Sequence, residues 1–315
     1  MGNRILIVGG AGYVGGFLTT ILSKYGHDIA VYDSLVYENH YLKDVPFIRG
    51  DVRDREKLST VLPDFNTVIW LAAVVGDGAC AIDPFLTQSI NEDSVKWLVQ
   101  NYKGKIVFTS TCSVYGINND LIDENAEPNP ISVYAETKLV AEKCIRENSD
   151  NHLIFRLGTL FGTGDSYSRL RLDLVVNVLS KRAACGEDLR VFGGDQWRPL
   201  LHVRDVTSAI LWGQSHSITG LYNLGLKNYR IHEIAEEIQK EIPDIKVVYE
   251  ELAFEDQRNY QVTSDAYRKK GWFPQYNLLD GIQQIYSCVK EDRIKDLNSP
   301  LYSNQFYLGA NYKPF

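Results

Sequence analysis

The chain has 315 residues, 44% of them hydrophobic and 23% charged, which leaves room for a full core and for two domains. Its 33 basic and 40 acidic side chains give a net charge of −7, which excludes the electrostatic footprint of a nucleic-acid binder or of a protein held on an anionic membrane. Five widely spaced cysteines (Cys80, Cys112, Cys144, Cys185 and Cys288) without a C-x-x-C pair exclude a disulfide framework and a zinc site, so all five are read as reduced and no metal is expected. The first apolar run begins without a basic leader, and no run approaches the roughly 20 residues that span a bilayer, so a cytoplasmic protein is expected.

In chain order, RILIVGG is short, β-branched and apolar, as a buried parallel strand should be. In the following GGAGYVGGFLTTILSKYG, the glycines Gly9, Gly12 and Gly15 open a helix, where each costs about 1 kcal/mol against alanine. A strand, a tight glycine turn and a helix leave free N–H groups and the positive end of the helix dipole facing outward, suited to a pyrophosphate. The spacing is G-x-x-G-x-x-G. The next strand, DIAVYD, ends in Asp33, where a carboxylate accepts hydrogen bonds from an adenosine ribose and repels a 2′-phosphate. NAD is therefore predicted rather than NADP.

The runs PFIRGDV, TVIWLAAVV, KIVFTST and HLIFRLGTL continue the alternation of strands with helical stretches. This predicts an α/β fold, a Rossmann-type doubly wound parallel sheet. VFTSTCSVYG is a strand ending in the hydroxyl residues Ser110 and Thr111, at the edge where open α/β sheets bind ligands. ISVYAETKLVAEKCI is a helix that places Tyr134 and Lys138 four apart on one face. A tyrosine serving as a base near neutrality needs its pKa lowered by about 3 units, roughly 4 kcal/mol. A cation at about 4 Å supplies that much at an effective dielectric of about 20. The set suits alcohol oxidation. Tyr134 takes the hydroxyl proton while hydride leaves for the nicotinamide, Thr111 hydrogen-bonds the same oxygen, and Lys138, helped by the positively charged nicotinamide ring, lowers the phenol and also binds the nicotinamide ribose.

Beyond LFGTGD the pattern loosens into a helix, DLVVNVLSKRAACG, a β-like LRVFGG, and a helix returning to the sheet, RDVTSAILWGQS. IHEIAEEIQKEI, KVVYEE and a polar, tyrosine-rich tail follow. The expected division is a dinucleotide domain over 1–162, rejoined by 200–225, and a smaller interleaved C-terminal substrate lobe over 163–199 and 226–315.

Together these stretches resemble the extended short-chain dehydrogenase/reductases, in particular the NAD-dependent nucleotide-sugar epimerases, dehydratases and dehydrogenases. GGAGYVG, Asp33, GDVRD, WLAA, SIN, TSTCSVYG, YAETK, FRLGTLFG, WRPLLHVRDV and DQRNYQV before KKGWFPQY carry the resemblance. It implies that Asp51 and Val52 flank the adenine, that Ala72 and Ala73 line the cofactor with Tyr13, Val14, Leu71 and Ser110, and that Asn91 steadies the central sheet. It also implies that Thr111, Tyr134 and Lys138 do the chemistry, that Arg198 and Arg258 hold a diphosphate, and that Thr159 touches the substrate. Cys112 and Ser113 stand where dehydratases of this family carry an Asp-Glu pair, so dehydration is not expected. Trp70 replaces the histidine of HLAA, and the loop VVGDGACAIDP departs from the usual epimerase version, with Asp77 expected to select the sugar.

The implied activity is oxidation of a nucleotide-diphosphate sugar at C4, ending as a 4-epimerase or a 4-dehydrogenase. The wording of the sequence resembles enzymes that modify GDP-linked heptoses for bacterial surface polysaccharide. Two alternatives compete. Asp33 argues against an NADPH-dependent keto-sugar reductase of the same fold, and the presence of Tyr134, Lys138 and the glycines argues against a non-catalytic dinucleotide sensor or scaffold. The resemblance further implies a homodimer formed by helices at roughly 84–102 and 131–148, for which Leu86, Val95, Leu98 and Val99 fit a buried stripe; a stripe facing the sheet accounts for some of them equally well.

Overall fold

The computed structural model describes residues 3–250 and 258–311. Asp256 and Gln257, which open the DQRNYQV motif, lie outside them. Seven parallel strands form the central sheet in the spatial order Gly220–Leu224, His152–Leu157, Lys105–Thr111, Thr67–Trp70, Arg4–Val8, Asp28–Asp33 and Phe47–Arg49. The inner strands read as continuous apolar runs because both faces are covered; Ile5, Leu6, Ile7 and Val8 are all fully buried.

Alternate residues of each strand enter different cores. On one face Ile5, Ile7, Val31, Val107 and Phe155 pack with Leu18 and Leu22 of the helix Tyr13–Lys24 and with Val206 and Ile210 of the helix Val203–Ser215. On the other, Leu6, Val8, Tyr32, Val68, Trp70 and Phe108 pack with Val95, Leu98 and Val99 of the helix Ser94–Asn101 and with Ala141 and Ile145 of the helix Val133–Asn148. The sheet is doubly wound, and strand order reverses between Arg4–Val8 and Thr67–Trp70. A crevice opens outside the carboxyl ends of strands at such a reversal.

The proposed apolar stripe does not face a partner. Val95, Leu98 and Val99 are buried in the sheet-facing core, and Leu86 lines the crevice. Helical spacing alone had not distinguished the two faces.

A separate core holds Phe161, Val176, Leu179, Leu189, Val191, Ile234, Ile238 and Ile282 beneath small sheets that include Trp197–His202 and Leu189–Phe192. The tail expected to be polar contributes to it. Leu278, Ile282 and Ile285 recur on one face of the helix Leu278–Lys290, which starts at a capping box between Asn277 and Asp280. A further helix, Asn304–Asn311, returns to the crevice. Among the described residues no helix is long and apolar enough to cross a membrane, and no group of His, Cys, Asp and Glu could hold a metal ion.

Candidate active site

The crevice is a cavity of about 1270 Å³ that runs from the glycine turn to the second core. That exceeds the roughly 300–1,000 Å³ of a pocket for one small ligand. The three glycines of the turn have different physical reasons. Gly9 adopts φ +87°, and a Cβ on it would lie 2.5 Å from the Ala72 backbone nitrogen. A Cβ on Gly15 would lie 2.3 Å from the Gly9 carbonyl oxygen. These two let backbone pack on backbone. Gly12, with φ −76°, would offer its Cβ only an ordinary 3.4 Å contact with that same carbonyl. It lines the cavity as the N-cap of Tyr13–Lys24, where no side chain caps the helix. All three line the cavity, but only at Gly12 does close packing on backbone not by itself require a glycine.

Asp33 sits beside this turn. Its Oδ2 accepts from the Ala11 N–H at 3.0 Å and its Oδ1 from the Leu35 N–H at 2.8 Å, while burial pushes its carboxyl up. Farther along the same wall, the Asp51 carboxylate pairs with Arg53 at 2.7 Å, and Val52 is buried. Tyr13, Val14, Leu71, Ala72 and Ala73 also line the cavity. Ser110 is 2% exposed and lines it too, yet among the described residues its hydroxyl has no hydrogen-bond partner. Buried hydroxyls are seldom left that way. An uncapped helix start, a carboxylate fixed next to it and an orphaned hydroxyl across the cleft fit a dinucleotide: Gly12 and the helix N-terminus for the diphosphate, Asp33 for a ribose, and Ser110 toward the reacting end.

The helix Val133–Asn148 begins where the Ser132 hydroxyl accepts from the Ala135 N–H at 3.2 Å and donates to Asp77 at 2.8 Å. One face of it carries Tyr134, Lys138 and Glu142, all buried. Glu142 grips Arg156 of the strand His152–Leu157 through contacts of 2.5 and 3.0 Å, and Arg156 also donates to the Tyr115 hydroxyl at 2.8 Å. A two-pronged pair of this kind fixes direction as well as distance. The helix is therefore pinned to the sheet one turn beyond Lys138.

Thr111 accepts from the Ser113 N–H at 3.1 Å and lines the same cavity as the Tyr134 phenol. The Lys138 ammonium is 4.0 Å from the centre of the Phe108 ring, a cation–π contact. Burial pulls Lys138 down to about 7, against the opposing charge of the Glu142 carboxylate. Burial pushes the Tyr134 phenol up, helped by Cys80 and Asp77 and opposed by Thr111 and Arg171. The expected lowering of Tyr134 by Lys138 is thus not a property of the chain by itself. An effective dielectric of about 20 describes a partly solvated pair, whereas both of these groups are desolvated.

Asn91 holds a loop rather than the sheet. Its side chain accepts from the Val74 N–H at 2.8 Å and donates to the Val74 carbonyl at 2.9 Å, which fixes the chain as it leaves Thr67–Trp70. Trp70 fills the core, and among the described residues its indole N–H has no hydrogen-bond partner.

On the far wall, Arg198 donates to the carbonyls of Trp197, at 2.8 Å, and of Arg258. Arg258 pairs with Asp77 at 3.1 Å. Asp77, Arg258 and Arg198 thereby form one chain of contacts, with Thr159 on the same cavity. Sequence reasoning missed Arg169, Arg171, Asp173, Arg182 and Arg190, all of which line it. A signal existed for three of them: in RLRLD the charges alternate with leucines, so an extended chain places Arg169, Arg171 and Asp173 on one side. The residues that the helix Asn304–Asn311 contributes had no motif to announce them.

Known proteins resemble this chain in sequence and in fold. The undecaprenyl-diphosphate-linked N-acetylglucosamine 4-epimerase of Escherichia coli O157:H7 is 26% identical over 258 residues, covering 79% of this chain and 76% of its own. The UDP-glucose 4-epimerase of Rhizobium meliloti is 27% identical over 308 residues, covering 88% of this chain and 94% of its own. In fold, the crystal structure of UDP-glucose 4-epimerase with UDP-glucose from Thermotoga maritima superposes with a TM-score of 0.78 at 22% identity, covering 92% of this chain and all (100%) of that one. Residues 5–225 match the model of the NAD dependent epimerase/dehydratase family, which spans the glycine turn, Asp33 and the Thr111, Tyr134 and Lys138 set, and the chain belongs to that family.

Proposed function

We propose that this protein oxidises the C4 hydroxyl of a nucleotide-diphosphate sugar, ending as a 4-epimerase or a 4-dehydrogenase. The observation that carries this reading is one cavity with Thr111, Tyr134 and Lys138 on one wall and Arg182, Arg190, Arg198 and Arg258 lining it elsewhere. Guanidinium groups suit diphosphate oxygens, which they bind in pairs. Two relatives of 26–27% identity act as 4-epimerases on diphosphate-linked sugars by name. One of those sugars is carried on a lipid, so the group beyond the diphosphate is part of what must be tested.

NAD, when bound, accepts the hydride from C4. Thr111 holds the C4 oxygen, and the Tyr134 oxygen takes its proton. Lys138 orients the nicotinamide ribose, while Asp33 holds the adenosine ribose. Asp77 turns Arg258 toward the sugar end. In a 4-epimerase Tyr134 would return the proton to the oxygen while the hydride returns from the reduced cofactor to the other face of the rotated keto sugar. In a 4-dehydrogenase the keto sugar would leave and the hydride would pass from the reduced cofactor to an outside acceptor. A GDP-linked heptose destined for surface polysaccharide is the substrate the resemblance favours, and a cytoplasmic homodimer is the form it favours.

The test has two parts. Mass spectrometry of small molecules released from the denatured protein should show NAD or NADH; NADPH there would sink the reading of Asp33 and favour the reductase. GDP-, UDP- and dTDP-sugars and a lipid-linked diphosphate sugar are then incubated with the protein and NAD. A C4 epimer without net NADH identifies an epimerase, a keto sugar with equivalent NADH a dehydrogenase, and no turnover of any of them overturns the proposal.

A further inference from the structure

The helix Asn304–Asn311 lies beyond the residues matched by the family model, yet Ser303, Asn304, Gln305, Tyr307, Leu308 and Asn311 all line the cavity. Its first residue is the most heavily bonded. Asn304 is 4% exposed, and three of its groups are used. The amide Nδ2 donates to the Val75 carbonyl at 2.8 Å, Oδ1 accepts from Arg169 at 2.6 Å, and the backbone N–H donates to Asp173 at 2.9 Å. Arg169 also donates to the Leu301 carbonyl at 3.0 Å and stacks its guanidinium 3.7 Å from the centre of the Tyr37 ring. Tyr37 in turn meets Tyr307, with ring centroids 5.2 Å apart. One turn on, Leu308 packs in a cluster with Val74, Ala79, Cys80 and Tyr134.

Topology gives these contacts their meaning. Tyr37 follows the strand Asp28–Asp33 and Val75 follows Thr67–Trp70, and these strands flank Arg4–Val8, which runs into the glycine turn. A segment fastened to both Tyr37 and Val75 crosses over the carboxyl end of the strand between them. Gly12 and this crossing segment line the same cavity.

We propose that Asn304 is a positioning residue that latches the C-terminal helix across the cofactor cleft, so that a bound dinucleotide leaves only when the latch opens. The inference rests on the cavity taking a dinucleotide. Its two side-chain bonds are separable: Asn304→Asp keeps an acceptor for Arg169 but loses the donor to the Val75 carbonyl and sets a carboxylate against it.

The experiment loads the full-length protein with NADH, dilutes it into excess NAD and follows NADH release by fluorescence. The melting midpoint is recorded alongside. Release from Asn304→Asp should be at least tenfold faster than from wild type, and a chain ended at Ser299 should behave likewise or lose more. Unchanged release from the shortened chain, or release unchanged in Asn304→Asp while the midpoint falls, makes the helix a structural prop and overturns the latch. Wild-type protein that takes up no NADH overturns the dinucleotide site itself, and a failure of the sugar screen with normal NADH release leaves the latch standing.

Discussion

Burial holds Lys138 and Tyr134 toward their neutral forms, at a cost to folding for the first and to catalysis for the second. Lys138 falls to about 7 in the folded chain, against about 10.4 when unfolded. Its folded-state pKa is lowered, so the destabilisation is fully present below about pH 7 and disappears as pH rises toward the unfolded value. That shift amounts to on the order of 5 kcal/mol. Lys138→Met keeps the apolar stem against Phe108 and removes the charge. We expect its melting midpoint without cofactor to exceed wild type at pH 6, with the advantage nearly gone by pH 10, and turnover to be lost throughout. An equal difference at both pH values would show that Lys138 is not desolvated. Tyr134 shifts the other way, and a base is useful only once deprotonated. Turnover should therefore keep rising from pH 6 to pH 9, and Tyr134→Phe should lower it at least 10³-fold with the fold intact. A plateau reached by pH 7 would mean that bound substrate and NAD, rather than the chain, set the phenol.

At the level of elements, the glycine turn separates what the fold needs from what a ligand needs. Gly15→Ala drives a Cβ into backbone 2.3 Å away, and backbone cannot swing aside. Losses of several kcal/mol belong to such clashes. Gly12→Ala meets only a 3.4 Å contact at an allowed φ, and glycine-to-alanine at an N-cap costs at most about 1 kcal/mol. We expect Gly12→Ala to melt near wild type but to bind NADH at least tenfold more weakly, and Gly15→Ala to be lost to unfolding before binding can be measured. Wild-type affinity in Gly12→Ala would remove the diphosphate from this helix start. The strand, turn and helix were legible in the sequence because every local signal agreed, and so was the face shared by Tyr134 and Lys138. The reasons for Gly9 and Gly15 were not, because they lie in approaches to Ala72 and to the turn's own backbone that no spacing encodes. Asn304 was invisible for the same reason: its partners, Val75, Arg169 and Asp173, are distant in the chain and carry no motif.

For the whole molecule, the inward turn of Val95, Leu98 and Val99 changes where a partner copy must sit. The helix Val133–Asn148 commits Tyr134, Lys138 and Glu142 to the site, and Ala141 and Ile145 to the sheet. What it leaves outside is Val140, 36% exposed, with Ile131 at 41% just before its start; on the helix Pro84–Gln88, Phe85 is 86% exposed. Single exposed apolar residues are ordinary, so these positions become an interface only if they act together with the helices around them. A stable two-fold contact buries about 800 Å² per partner, which helices from the two regions expected at roughly 84–102 and 131–148 can supply from both copies. We expect light scattering to give twice the 35.7 kDa chain mass at micromolar concentration. Val140→Glu should halve it, because two copies related by a two-fold axis place that charge in the contact twice. Val140 points away from the cavity, so the monomeric variant should still bind NADH. A wild-type mass of 35.7 kDa would discard the dimer and leave the catalytic helix supported from within the chain alone, by the grip of Glu142 on Arg156.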